Sequence, residues 1–372
     1  MYGIILLRKD YNVKLYWGEI MRLEFIDRVR EEEVLGKSIL TCEGQVLLRA
    51  GVKLNSNYID KLKKLGVFYV YVEDERLEDV YVEDEKLAQL KQSTMKSMSK
   101  VMVNLNNYDE KGLRQSLKTV EEMINYIVDV GDVNKSLYDI QTYDNYTFVH
   151  SIDTCIMASF LGISAGYNEI NIKELGVGAI LHDVGKTKVP IDILNKKGKL
   201  TDEEFAEIKK HPVYGSKILK KTFGTYSPII KIVEQHHERV DGRGYPYGLT
   251  DKQITNFAKM VCICDVYDAV SNDRCYRKKF RPNDAYELVL SGSGSSFDQG
   301  VVSYFKNTFA VYPLGCCVKL SNGVKGYVVK QNRGFPDRPV IRVLQDPVTG
   351  ANISGYEVDL LKNLSVIVEE IV

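Results

Sequence analysis

All five histidines of this 372-residue chain, at 150, 182, 211, 236 and 237, fall within one stretch. Imidazole is the commonest metal ligand and the usual proton carrier near neutral pH. Histidines with scattered structural roles would also occupy the long flanks, and here none does. The segments that carry them are expected to converge on a site, so the fold has to bring distant parts of the chain together.

Fifty basic residues balance fifty acidic ones. That argues against a nucleic-acid polymer or an anionic membrane surface as partner, since both call for a basic excess. At 44% hydrophobic residues over this length, two or three domains with packed cores are expected, and disordered or collagen-like chains are excluded. The seven cysteines (42, 155, 262, 264, 275, 316 and 317) form no CxxC pair and no regular framework, the usage expected in a reducing cytosol. No run approaches the roughly 18 apolar residues of a spanning helix. The start MYGIILLRKDYN has neither a basic leader region nor a long apolar one. A soluble, cytoplasmic chain is expected.

Residues 1–20 carry little structural signal, and MRLEFIDRV from Met21 reads as an equally good beginning. From about 30 to 72 a small α/β unit can be traced. SILT and QVLL are short strands around Glu43-Gly44. Asn55 or Ser56 caps a helix with Ile59, Leu62 and Leu65 on one face, Gly66 ends it, and VFYVYV returns as a strand. YVEDERLEDV is then followed at once by YVEDEKL, and residues 73–86 hold eight acids and two bases. Such a charged segment suits an exposed edge or linker. Residues 1–86 are therefore assigned to an N-terminal domain with a regulatory role, ending at a boundary that few contacts cross.

Residues 87–139 read as connecting amphipathic helices. Met95, Met98, Met102 and Leu105 are spaced 3-4-3, and Leu113, Leu117, Val120, Ile124 and Ile127 are spaced 4-3-4-3. A methionine stripe is usually packing, here against the next domain or against a second copy in a homodimer joined through residues 87–130. Helical signals continue across residues 140–312, with a capping box at Thr201…Glu204 and an N-cap plus proline at Ser227-Pro228. From Pro313 the pattern switches to strands. CVKL and KGYVVK flank an Asn322-Gly323 turn, PVIRVL follows, and residues 313–372 are read as a small β appendage. The fold class is mainly α: an all-α catalytic domain between a small α/β domain and a small β-rich end.

His182-Asp183 closes the apolar run ELGVGAILHD. An adjacent imidazole and carboxylate can put N and O ligands on one cation, with the carboxylate free to bridge to a second. One HD dipeptide is a weak signal. It gains weight from His150 upstream, His211 in KKHPVYG, the pair His236-His237 and Asp265 in ICDVYDAV. Such ligands suit Mn, Fe or Zn, and without a thiolate cluster a structural zinc is disfavoured. Cys262 and Cys264 adjoin Asp265, but alternate helix positions diverge by about 200°, so both are read as packing. Lys186 follows Asp183 by three residues, which returns it to the same side if the helix continues. Its compact charge suits a phosphate oxygen. In Asp241-Gly242-Arg243-Gly244-Tyr245-Pro246 two glycines permit a tight turn close to a ligand, and Tyr245 is placed to stack on a base or donate to phosphate. In isolation such a turn would be ordinary surface; directly after a double histidine it is read as part of the site.

VHSIDTCIMA, LHDVGK, IKKHPVYG, EQHHERVDGRGYP and ICDVYDAVSNDRCYRK stand in the order and spacing of the HD-GYP family. Over about residues 140–310 the chain resembles cyclic di-GMP phosphodiesterases within the HD metal-dependent phosphohydrolase superfamily. The resemblance implies an HD-type helical domain with two divalent cations, iron or manganese. His150, His182, Asp183 and Asp265 would hold one, and Asp183, His211, His236 and His237 the other, with Asp183 bridging. It also implies Lys186 on the phosphate, Asp268 as the partner that orients it, and Arg274 and Arg277 at positions that meet guanine or phosphate. Where some members carry a glutamate that supports a third metal, this chain has Tyr146. A neutral phenol is a poor ligand for a hard cation, so two metals per site are expected.

The implied activity is hydrolysis of cyclic di-GMP to linear pGpG, and onward to GMP, by a metal-activated hydroxide. Two cations about 3.5–4 Å apart can neutralise the phosphoryl oxygens, supply the hydroxide and steady the departing alkoxide. Two other readings stay open. One is an HD phosphohydrolase for another cyclic dinucleotide or nucleotide. The other is a catalytically silent module that binds nucleotide or a partner; loss of ligands would mark it, and all seven are present.

Overall fold

The structure is a computed structural model that describes residues 21–41, 44–77, 80, 84–107, 109–131, 135–136, 147–196, 198–272, 282–346 and 349–372. The described residues begin with a small α/β unit. Strand β1 (Met21–Phe25) pairs antiparallel with β4 (Tyr69–Glu73), from Met21 opposite Glu73 to Phe25 opposite Tyr69. Between them a hairpin of β2 (Ile39–Leu40) and β3 (Val46–Leu48) precedes α1 (Ser56–Lys64). Asn55 caps α1 as expected, its side chain accepting from Tyr58 N at 2.9 Å. Ile59 and Leu62 are buried, but Leu65 ends the helix and stays half exposed. The expected three-residue apolar face is therefore only two residues long.

Strand β1 lies upstream of where the periodicity places the unit, and it matters for the packing. Side chains alternate across a strand, and β4 uses both faces. Val70 and Val72 join Ile26, Leu35, Leu54 and Leu62 in a small core of the unit's own. Tyr69 and Tyr71, with Met21 and Leu23, belong instead to the main core of the molecule.

Three helices follow: α2 (Glu85–Asn106), α3 (Glu110–Ser116) and α4 (Lys118–Val130). Asp84 and Asp109 cap the first two, accepting from Leu87 N and Gly112 N. The apolar stripes expected here are spent inside the chain: Met95, Met98, Leu105, Leu113, Leu117, Val120, Ile124 and Ile127 are all buried in the main core. Next come α5 (Thr147–Ser164) and α6 (Glu169–Leu181), which pack against each other, and a 3₁₀ turn at Val184–Lys188. Short helices α7 (Ile191–Leu194) and α8 (Asp202–Ile208) lead to α9 (His211–Phe223), α10 (Pro228–Gln235) and α11 (Asn256–Asn272). The capping box at Thr201 and Glu204 and the Ser227-Pro228 start both form. Helices α12 (Pro282–Ser291) and α13 (Gln299–Thr308) complete the helical part. Two-residue strands β5 (Lys135–Ser136) and β6 (Phe309–Ala310) pair in parallel across it. Among the described residues no helix is long and apolar enough to cross a membrane.

The chain ends in a five-stranded antiparallel sheet of order β10-β9-β8-β7-β11. Its strands are β7 (Cys317–Leu320), β8 (Lys325–Lys330), β9 (Val340–Gln345), β10 (Asn352–Asp359) and β11 (Val368–Ile371). The first two flank the Asn322-Gly323 turn as expected, with Gly323 in the left-handed region at φ 83°. β10 escapes sequence reading because most of it is exposed and its register shifts between Asn352 and Tyr356, which erases the alternation that would reveal a strand.

The boundary near residue 86 is crossed by many contacts, contrary to expectation. Leu23 N donates to Gly315 O at 3.0 Å, and Leu23 bridges to Cys316, which lies in the main core beside the final sheet. Arg76 lies over the Tyr327 ring of β8, and Gln92 of α2 donates to Gly44 O at 2.6 Å. The sequence marks a charged segment, but that segment is covalently local and says nothing of what β1 packs on. A chain starting at Leu87 should therefore melt below the full chain, by about 2–4 °C for each kcal/mol of shared core lost. Equal melting temperatures by calorimetry would show that the shared core contributes nothing.

Candidate metal centre

The site is assembled from helix ends. His182 follows the last residue of α6, His211 opens α9 and His236 follows the last residue of α10. Each ring is oriented the same way. Nδ1 of His182 donates to Ala179 O at 2.6 Å, Nδ1 of His211 to Ile208 O at 2.8 Å, and Nδ1 of His236 to Val233 O at 3.0 Å. A carbonyl can only accept, so Nδ1 carries the proton in all three. Carbonyls in the last turn of a helix have acceptor capacity to spare, and in each case the imidazole three residues on uses it; Ala179 O also accepts from His182 N at 3.4 Å. Each Nε2 is left aimed at a common centre.

Those nitrogens meet without protons between them. His211 Nε2 and His236 Nε2 lie 3.2 Å apart. With both Nδ1 atoms protonated, two lone pairs face each other unless a cation or a further proton lies between. Asp183 Oδ1 is 3.3 Å from His211 Nε2 and 3.9 Å from His236 Nε2. Its other oxygen is 3.4 Å from His182 Nε2 and 2.5 Å from the Lys186 ammonium. Among the described residues Asp183 Oδ1 and His182 Nε2, both buried, have no hydrogen-bond partner. Neighbouring ligands at about 2.1 Å from one cation are themselves about 3.0–3.4 Å apart, which matches the closest of these spacings. The donor set, all imidazole and carboxylate, suits a divalent first-row metal. The residues fit a metal.

They also divide into groups that share members. Asp183, His211, His236 and His237 offer ligand atoms within 4.8 Å of one another, as do His150, His182 and Asp183, and His182, His236 and Asp265. Asp183 belongs to two of these groups. His150, on α5, faces carboxylates of α11 on both sides, with Nε2 2.9 Å from Asp265 and Nδ1 2.6 Å from Asp268. His237 Nδ1 is 3.6 Å from the second oxygen of Asp265. Asp268, expected beside Lys186, thus stands behind His150, in the position from which a carboxylate orients a ligating imidazole.

Electrostatics separates the centre into two halves. Burial pushes the Asp183 and Asp265 carboxyls upward, but the surrounding histidines, and Lys186 beside Asp183, hold both well below the usual carboxylate range. Burial lowers His150 and His182, yet their carboxylate neighbours prevail: His150 is raised well above its ordinary value and His182 to about 9. Burial and the adjacent imidazoles drive His236 far down, and burial takes His237 to about 4. His236 and His237 thus offer neutral rings, the form that binds metal. On the other side, His150 would have to give up a proton to hold a cation through Nε2.

Two glycines permit the close packing. A Cβ on Gly185 would lie 1.9 Å from His211 O, so the turn carrying Lys186 rests directly on the start of α9. A Cβ on Gly244 would lie within 2.6 Å of His237 O, Glu238 Cα and Arg239 N, so the loop after the double histidine folds back on it. That fold puts the Tyr245 ring 4.6 Å from the His237 ring and lets Tyr245 N donate to His237 O at 3.1 Å. Burial keeps the Tyr245 phenol protonated. Sequence reading missed Glu238. Its buried carboxylate accepts from Tyr247 N at 2.7 Å and Leu249 N at 2.9 Å and clamps the loop. An acid directly after two candidate ligands was the available signal, but nothing local marks it as buried. Cys262 and Cys264 are buried with thiols pushed upward by burial, as packing residues should be. Arg274, Arg277 and Tyr146 lie outside the described residues.

Residues 155–301 match the family described as HD domain, and residues 317–372 match the KOW domain associated with HD domain. A cyclic di-GMP phosphodiesterase of Pseudomonas aeruginosa is 36% identical over 60% of this chain and 54% of its own length. One from Borreliella burgdorferi is 30% identical over 54% of this chain and 52% of its own. A 3'3'-cGAMP-specific phosphodiesterase of Vibrio cholerae is 31% identical over 40% of this chain and 35% of its own. The chain spans about half the length, or less, of these relatives. Over residues 155–301, which include the HHE-x-x-DG-x-GYP loop, the chain is similar to the HD domain family and to these cyclic dinucleotide phosphodiesterases.

Proposed function

We propose that this centre holds two divalent cations, iron or manganese, and hydrolyses cyclic di-GMP to linear pGpG. The observation that carries the reading is Asp183, a buried carboxylate that belongs to two ligand groups at once and touches a lysine. When bound, such cations supply Lewis acidity toward phosphoryl oxygens and acidify water at neutral pH. His150, His182, Asp183 and Asp265 would hold one, and Asp183, His211, His236 and His237 the other.

The chain's own groups do the rest. Asp183 keeps Lys186 charged, and the ammonium, one-third exposed, keeps donors free for a phosphate oxygen. Tyr245, beside His237, closes the centre with a ring and a phenol that stays protonated, suited to a base face or a phosphate oxygen. Glu238 holds the loop that presents it. Asp268 fixes the His150 ring. Turnover of cyclic di-GMP by metal-loaded protein, followed by chromatography of pGpG and GMP, tests the reading directly. The similarity to a 3'3'-cGAMP-specific enzyme favours one second reading, a mixed cyclic dinucleotide as substrate. A higher kcat/KM on that substrate would replace the first.

Asp183→Ala should lose most of its bound metal together with activity, because one carboxylate serves both groups. Metal content equal to wild type by plasma mass spectrometry would sink the bridging role. Lys186→Ala should retain its metal and turn over about 10²–10³-fold more slowly, the usual cost of removing one preorganised donor to a developing charge. Normal turnover would reduce Lys186 to a bystander. Glu238→Gln keeps the size of the side chain but takes the charge from the loop clamp. It is expected to raise KM more than it lowers kcat, and an unchanged KM would show that the loop does not depend on it.

A further inference from the structure

Asp153 sits on α5 three residues after His150 and is fully buried. Residues so spaced on a helix are neighbours on one side. Its oxygen meets the ammonium of Lys91, on the second turn of α2, at 2.6 Å, and the Lys91 side chain is itself only 13% exposed. We propose that Lys91 is a positioning residue for the metal centre: its ion pair with Asp153 sets where α5 lies, and so where His150 stands.

The inference rests on the reading of His150 as a metal ligand and concerns residues that reading does not use. The buried apolar side chains of α2 are Met95, Met98, Val101 and Leu105. Methionine-rich contacts adapt to sliding and rotation, so they hold two helices together without fixing their register. A buried ion pair does the opposite. Its desolvation is repaid only in a narrow geometry, and registry is the best-attested role of such pairs. Thr94 and Ser97 bond to Thr119 and hold α2 on α4; Lys91 ties that frame to α5. On the far side His150 reaches Asp265 and Asp268 of α11. Helix α5 is thus held between polar contacts at both ends of one turn, and a ligand constellation tolerates displacements of only about 0.5 Å. The residue after Lys91, Gln92, donates to Gly44 O in the β2–β3 turn at 2.6 Å. The N-terminal unit therefore touches the same turn of α2 that bears the pair.

The test uses the full chain, Mn²⁺ as probe and three variants: Lys91→Met, Lys91→Arg and the double variant Lys91→Met/Asp153→Asn, which removes both charges of the pair. Calorimetric titration of Lys91→Met with Mn²⁺ should show binding weaker by about 10-fold or more, the usual effect of losing a group that orients a ligand. Its kcat should fall by a similar factor at unchanged KM, and Lys91→Arg should restore both. Should Lys91→Met not fold, the double variant decides, and the same weakening is expected of it. Wild-type Mn²⁺ affinity and stoichiometry in folded Lys91→Met or in the double variant would overturn the proposal. If wild type binds Mn²⁺ but hydrolyses no cyclic dinucleotide, the proposed function fails while the Mn²⁺ comparison still decides this inference.

Discussion

Asp183 is an ionised carboxylate with almost no access to water, and the centre is arranged around that fact. Removing such a charge from water costs several kcal/mol unless positive charge meets it in good geometry. The side chains around it are imidazoles and one lysine, and two of the imidazole nitrogens present lone pairs to each other at 3.2 Å. A buried anion and converging lone pairs are each unfavourable alone; a divalent cation between them satisfies both. The same need sets the backbone. Helix α6 must end where Asp183 can turn inward, and the next turn must press against the start of α9, which Gly185 allows.

Aiming the nitrogens uses one local rule three times. His182, His211 and His236 each stand three residues after a carbonyl at or near a helix end and give it their Nδ1 proton. Carbonyls near helix ends have acceptor capacity to spare, so the same backbone that ends each helix also orients the ligand. His150 lies within a helix, where carbonyls are already engaged, and it is oriented by carboxylates of α11 instead. Its placement therefore depends on how α5 and α11 pack, and a second polar contact on α5, the Lys91–Asp153 pair, has a geometric consequence at the centre.

The N-terminal unit is held by strand periodicity. Because β4 alternates, Val70 and Val72 close a small core on one face while Tyr69 and Tyr71 enter the main core on the other. A two-stranded sheet is marginal by itself. Here it has both a private core and a shared one, with β1 bonded to the segment before β7. The acidic stretch around residue 80 marks a covalent junction but not a mechanical one.

The amino-acid sequence by itself determined the chemistry and the local grammar. The types and order of the seven candidate ligands, the caps at Asn55, Thr201 and Ser227 and the Asn322-Gly323 hairpin all follow from neighbouring residues, because a cap or a turn is settled within four positions. Only the tertiary structure decided the rest. It made β1 and β10 strands, left Leu65 outside, placed Asp268 behind His150, turned Glu238 into a buried clamp and set Asp153 against Lys91. Each of these depends on what a residue meets from a segment tens to hundreds of positions away. Burial and charge pairing are properties of that meeting, so an acid that will be buried and an acid that will face water are written with the same letter.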